Sequence, residues 1–354
     1  MGIKKKKILM FLQDGVGGAE RITTLIGKNI DIERYDVCFC LIERNSNSNI
    51  SDFIPKEMNV KRISNKNPFL LMWNIVTLIL KEKPYVVFSS VINISNKFLP
   101  FRWLFPKTKV IIRCDNYLYT YTKKQNIMIA TLYPKADCII AQTEEMKDEL
   151  VRIGVNEKKI HVLHNPIDKQ TIDKKVVLQT SPYPNNGRKH YVAVGRFNQQ
   201  KGFDLLIDAF VEIHKNRNDV DLYIVGDNTL GGGTIYREIE NKAKQYGIGG
   251  VIYCVGYKDN PYVYIKYADC FVLSSRWEGL PNVLIEALYL GTPVAAFKCI
   301  PIIERIITEG KDGYLAEKED VKSLSNAMEK AVEMGRVTTN YKSATIREFT
   351  ELFK

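Results

Sequence analysis

Residues 271–291 read FVLSSRWEGLPNVLIEALYLG. A short apolar run, Ala268–Ser274, has the length and composition of a buried strand. A loop follows, then a helix-period segment that opens on Pro281 and stops at Gly291. Proline in the first turn and glycine just past the end are start and stop signals of a helix. The stretch is therefore strand, loop, helix, with Glu278 in the loop and Glu286 in the second helical turn. Open parallel sheets bind ligands beyond the carboxyl ends of their strands. A helix N-terminus offers free amides and partial positive charge, which suit phosphate. One such unit can hold a ribose diol on Glu286, phosphate on its amides and sugar hydroxyls on Glu278. Two glutamates eight positions apart also arise on solvated surfaces, but here the strand end favours a ligand site.

Working outward, the same alternation recurs. Strands are expected at Lys7–Leu12, Tyr35–Ile42, Tyr85–Ser90, Lys109–Arg113, Asp137–Gln142 and Lys159–Leu163. They recur at His190–Gly195, Val220–Gly226, Gly250–Gly256 and Thr292–Phe297, with helices between, such as Ala19–Ile30, Thr143–Ile153 and Phe203–Asn216. Continuous rather than alternating apolar runs suit parallel strands covered on both faces. The fold class is α/β: two doubly wound Rossmann-like domains facing across a cleft. Residues 1–168 form the first, 169–189 a polar, turn-rich linker, and 190–340 the second; 341–354 read as a C-terminal helix that could pack back on the first domain.

A second cluster is GRFNQQKG, Gly195 to Gly202, again between a strand and a helix. Arg196 and Lys201 flank a loop that its glycines make flexible, and paired cations suit a diphosphate leaving group. Alone it would read as two solvated cations; with the glutamate pair, one pocket explains both. A third is DGVGGAER, Asp14 to Arg21, after the first strand. Gly17 and Gly18 allow close approach of substrate to backbone, or serve only as a tight turn.

These motifs resemble the retaining glycosyltransferase family 4, of GT-B fold. The likeness covers most of the chain and is strongest from Val192 to Leu315, through G-R-x4-K-G, E-x7-E, IVGD (224–227), GTPVAA followed by Glu304, and GKDGYL (310–315). The resemblance implies that Arg196 and Lys201 bind the donor diphosphate, Glu286 the ribose and Glu278 the transferred sugar. Amides around Leu280, Asn282 and Val283 would hold phosphate, and Gly226 and Tyr257 would flank the base. It implies sugar transfer with retention from a nucleotide diphosphate sugar, UDP-linked or, as runner-up, GDP-mannose. No metal and no cofactor are expected. Many members carry a histidine near the reacting sugar; here that region reads Arg113-Cys114-Asp115-Asn116, so Asp115 or Asn116 takes its place. After GTPVAA the usual small residues are replaced by FKCIPIIE. A sugar-nucleotide epimerase of the same fold and a non-catalytic binding subunit stay open as alternatives.

Charge divides unevenly. Residues 1–168 hold 26 basic and 17 acidic residues, and 61–124 hold 12 lysines and arginines against two acids, Glu82 and Asp115. Such a field attracts anionic partners. In KFLPFRWLFPK (97–107) basic residues alternate with Phe and Trp, which suits a membrane surface, whereas FLLMWNIVTLILKEK (69–83) reads better as a core helix. Lys4–Lys7 adds charge near the start. Nucleic acid is not expected, since no reading motif accompanies the charge. No apolar run reaches the ~18–20 residues of a span, and the initial apolar run ends at Leu12, short of a signal peptide's core. Seven scattered cysteines indicate reduced, buried thiols. The expected protein is cytoplasmic and peripheral on the inner face of the membrane, where the family resemblance implies a lipid-linked glycan acceptor.

Overall fold

The computed structural model describes residues 5–15, 17–43, 50–227 and 233–354. Lys4 of the basic start and Val16 of the glycine turn lie outside the described residues. The chain divides into two compact units, 1–166 with 343–354, and 167–342.

The first unit is a seven-stranded parallel sheet in the order β3-β2-β1-β4-β5-β6-β7. Its strands are β1 (Lys6–Gln13), β2 (Tyr35–Ile42), β3 (Asn59–Ile63), β4 (Val86–Ser89), β5 (Lys109–Arg113), β6 (Cys138–Ala141) and β7 (Ile160–Val162). The core strands are buried on both faces: Ile8 to Leu12 are fully buried. Edge strand β3, NVKRI, escapes the pattern of apolar runs because only Ile63 is buried. Its register is set by pairing with β2 from Cys38↔Asn59 to Ile42↔Ile63.

The second unit is a six-stranded parallel sheet, β10-β9-β8-β11-β12-β13. It comprises β8 (Lys189–Val194), β9 (Val220–Val225), β10 (Ile252–Gly256), β11 (Cys270–Leu273), β12 (Val294–Phe297) and β13 (Gly313–Ala316). Each unit is a doubly wound, Rossmann-like parallel sheet, the domain type that the GT-B reading expects.

Residues 169–189 are not only a connector. Lys169–Val176 is a helix of the second unit, capped by Asp168, whose carboxylate accepts from the Thr171 amide (3.2 Å), and it buries Ile172 and Val176. A mostly polar sequence hid this one-sided apolar stripe. The C-terminal helix Ile346–Glu351 belongs to the first unit. Phe349 and Phe353 are fully buried in its core, with the Phe353 ring 5.7 Å from that of Phe88.

Helix Pro68–Glu82 starts on Asn67, whose side chain accepts from the Phe69 and Leu70 amides. The core-helix reading holds for one face only. Leu71, Ile75, Val76 and Ile79 are buried, while Phe69, Leu70 and Trp73 stand in solvent. Likewise Phe98, Leu99 and Phe105 are core, and Trp103 is exposed. Among the described residues no helix is long and apolar enough to cross a membrane. All seven cysteines are free thiols.

Helix Pro68–Glu82 is tied to the sheet by Glu82, which accepts from Lys7 of β1 (2.5 Å) and from Lys61 of β3. Hydrogen bonds from Lys61 and then Lys7 hold the Glu82 carboxyl down to about 2. A depressed folded value stabilises above the ordinary carboxylate range and is lost as pH falls toward the folded value. Glu82→Gln should cost about 1–2 kcal/mol at neutral pH, allowing for the solvent exposure of both lysines. In denaturant titrations across pH, the wild-type advantage should shrink from about pH 4.5 downward; an advantage constant to pH 2 would refute the assignment.

Candidate active site

The quoted unit folds as read. β11 ends at Leu273, Ser274 and Ser275 are buried, and the helix Asn282–Tyr289 begins after Pro281. Proline sits at the N-cap rather than inside the first turn. Leu280 is buried beside it, and Asn282 and Val283 are the first helical residues. Amides there have no intrahelical acceptor.

Lys201 and Glu278 meet directly: Nζ lies 2.7 Å from Oε1. Glu278 is only 6 % exposed. Ser275 Oγ donates to the same carboxylate oxygen at 2.6 Å, a contact sequence reading missed although Ser275 stands three residues ahead. The pair forms because β8 and β11 are neighbours, in register at Cys270↔Tyr191 and Phe271↔Val192.

The GRFNQQKG loop is close-packed against the segment that follows β11. Asn198 caps the short turn Gln199–Lys201 by accepting from the Lys201 amide. Gly202 has φ +60, and a Cβ there would lie 2.1 Å from the Ser274 carbonyl oxygen. Ser274 Oγ donates to Lys201 O (2.8 Å), and the Arg276 amide donates to Gln200 O (2.8 Å). The Arg276 guanidinium also grips Asp204 (2.6 and 2.8 Å) and Glu319 (3.3 Å). Two loops from two strands are thus one packed body.

Arg196 is exposed at the mouth of that loop. Glu286 is half-buried, and its Oε1 accepts from the Tyr262 hydroxyl at 3.4 Å, another partner that sequence spacing gave no sign of. Gly226 follows β9, where a Cβ would lie 1.8 Å from the Gly195 carbonyl oxygen. Tyr257 is exposed just past β10. In FKCIPIIE, Cys299, Ile300, Ile302 and Ile303 are buried and Glu304 is exposed.

Asp115 and Asn116 belong to the first unit, beyond β5. Asp115 is half-buried and accepts from the Tyr121 hydroxyl. Burial raises its carboxyl above the usual range, against the pull of Tyr121 and Arg113. Arg113, which sequence reading left without a role, is 2 % exposed and donates to Asn165. Burial pushes its guanidinium down to about 10. Gly17 is the N-cap of helix Gly18–Lys28, with the Glu20 carboxylate folded over it.

Comparison with known proteins decides the family. Residues 16–171 match Glycosyltransferase Family 4, and residues 179–347 match Glycosyl transferases group 1. The chain carries both of these glycosyltransferase domains, which together take in most of its length. It is 25 % identical over 350 residues to the N-acetylgalactosamine-N,N'-diacetylbacillosaminyl-diphospho-undecaprenol 4-alpha-N-acetylgalactosaminyltransferase of Campylobacter jejuni, covering 93 % of this chain and 90 % of that protein. An uncharacterized glycosyltransferase of Methanocaldococcus jannaschii is 28 % identical over 233 residues, with 61 % of this chain and 52 % of that protein covered. The crystal structure of Anabaena HepE in complex with UDP and glucose has the same fold, with a TM-score of 0.79 at 18 % identity over 93 % of this chain and 90 % of that one.

In this glycosyltransferase, Lys201→Met would leave the Glu278 carboxylate buried without its cation. Breaking a buried pair by removing one partner costs about 3 kcal/mol. The variant should unfold at a lower temperature than wild type by calorimetry. An unchanged melting temperature would mean that the pair contributes nothing to the second unit.

Proposed function

We propose that the chain transfers a hexose or N-acetylhexosamine, with retention, from a nucleotide diphosphate sugar to a lipid-linked glycan in surface polysaccharide biosynthesis. The observation that carries this reading is the Lys201–Glu278 pair, held at the carboxyl ends of β8 and β11 ahead of the helix Asn282–Tyr289. Lys201, Arg196 and the amides of Asn282 and Val283 bind the diphosphate. Glu286 takes the ribose, and Gly226 and Tyr257 flank the base. UDP is the favoured nucleotide; the Anabaena structure of like fold holds UDP. The Campylobacter relative's name gives its acceptor as a diphospho-undecaprenol glycan, which supports a lipid-linked acceptor here.

In the transfer, the bond from the sugar's anomeric carbon to the phosphate oxygen breaks, and its electron pair stays on phosphate. The acceptor hydroxyl attacks from the same face, and its proton passes to the departing phosphate oxygen. Lys201, Arg196 and the helix amides offset the charge that grows on the leaving group. Glu278 orients the sugar through its hydroxyls. These cations do the work of a metal, so chelator should leave the rate unchanged.

The first unit would work at the inner membrane face. Phe69 and Trp73 of helix Pro68–Glu82 are 78 % and 65 % exposed, and Trp103 is 73 % exposed. The intervening helix Ile92–Phe98 packs against both segments. Aromatic side chains beside lysine and arginine fit an anionic interface.

Glu286→Ala and Lys201→Ala should each lower transfer by ~10²–10³, read by mass spectrometry of a lipid-linked product from a panel of UDP- and GDP-sugars. Near-wild-type turnover in both would overturn the site. Donor conversion without any acceptor would favour the epimerase reading. Nucleotide binding with no transfer to any acceptor would favour a binding subunit.

Flotation on phosphatidylglycerol vesicles should show salt-sensitive binding that Trp73→Ala with Trp103→Ala weakens. Binding indifferent to both would remove the membrane role.

A further inference from the structure

We propose that Ser275 is a positioning residue: with Lys201 it occupies Oε1 of Glu278, and so reserves Oε2 for a hydroxyl of the donor sugar. The inference rests on the donor-site reading above and names the atom that would carry it.

The chain places this serine by local means. β11 ends at Leu273, and the residues that follow are laced to the Lys201 turn at three points. Ser274 Oγ donates to Lys201 O (2.8 Å), the Arg276 amide to Gln200 O (2.8 Å), and Gln200 Nε2 to Trp277 O (3.0 Å). Ser275 lies between these anchors and is buried, so its hydroxyl has little choice of partner. It meets the carboxylate three residues on.

The geometry singles out one oxygen. Lys201 Nζ lies 2.7 Å and Ser275 Oγ 2.6 Å from the same atom, Oε1. Among the described residues no hydrogen bond or ion pair reaches Oε2. Nor is Oε2 one of their enclosed polar atoms left without a partner, so it opens on solvent although Glu278 as a whole is buried. An ionised carboxylate only accepts. Oε2 is therefore an acceptor with its direction set by the two bonds on its twin, and a sugar hydroxyl is the donor that suits it.

Lys201 by itself would not fix that direction. Its stem lies over Gly195, where a Cβ would stand 3.1 Å from Cγ, Cδ and Cε. Its ammonium, however, carries three rotatable donors and no preferred plane. Alone it can bridge both carboxylate oxygens or swing to Oε2, where it competes with the sugar. A second donor on Oε1 removes that freedom, and hydrogen bonds to an ionised acceptor are strong enough to do so. One ammonium hydrogen then serves Oε1, and two remain for phosphate.

The test is calorimetric titration of the full chain with UDP, GDP, UDP-glucose, UDP-galactose, UDP-N-acetylglucosamine, UDP-N-acetylgalactosamine and GDP-mannose. The quantity read is the Kd of each nucleotide sugar divided by that of its own nucleotide. For the sugar that wild type binds most tightly, Ser275→Ala should raise this ratio ~tenfold, the size of one hydrogen bond to an ionised group. Affinity for the bare nucleotide should not change. Ser275→Cys, close in size but a weak donor, should act alike, and Ser275→Thr, which keeps the hydroxyl, should restore the wild-type ratio. A merely structural serine would weaken nucleotide and nucleotide sugar equally. That result, or an unchanged ratio in both the alanine and cysteine variants, would overturn the positioning role and leave the donor site standing. Binding of none of these probes by wild type would remove the donor site, and the role of Ser275 with it.

Discussion

A carboxylate that is 6 % exposed needs a cation beside it, and Glu278 has Lys201. A buried charge left unpaired costs several kcal/mol, so the second unit is built around keeping this pair together. The partners are far apart in sequence and meet because β8 lies next to β11 rather than only beside its sequence neighbour β9. That strand order, with its reversal between β8 and β11, brings the two loops to one edge. Glycine does the rest: any side chain at Gly202 or Gly226 would collide with a carbonyl oxygen of the facing segment.

Around the pair the protein spends its polar groups on rigidity. Arg276 binds Asp204, Glu319 and two carbonyls of the Lys201 turn, which fixes the loop without touching the pair itself. Asn198 caps the turn, and Ser274 accepts the role of a brace beneath it. Preorganised charges in a dry setting act on a developing negative charge without the cost of reorienting. The proposed transfer asks for such an arrangement where its diphosphate departs, and Arg196 is exposed beside the same loop.

The first unit is organised differently. Its cations are mostly on the surface, with exposed aromatics among them, while Arg113 is buried. Burial alone disfavours its charge, and Asp115 and Glu20 nearby favour it. Asp115 is pushed the other way by the same burial and drawn back by Tyr121 and Arg113. The end of β5 thus holds two opposite charges in each other's field, where the resemblance implied only a replacement for a histidine.

Much was legible without coordinates. Continuous apolar runs give parallel strands covered on both faces, and so β1, β2, β5, β8 and β9 stand within a residue of where composition puts them. Glycine and proline mark the ends of the helix that carries Glu286 for purely local steric reasons. What composition could not reveal was anything resting on neighbours. Edge strand β3 has little apolar content and exists through its pairing with β2. The split of helix Pro68–Glu82 into a buried and a bare face depends on what packs against it, since leucine occurs on both, Leu71 buried and Leu70 exposed. Strand order, the meeting of Lys201 with Glu278, and the docking of Phe353 against Phe88 join residues remote in sequence. Local propensity carries no information about such contacts, because only folding decides which remote surfaces touch.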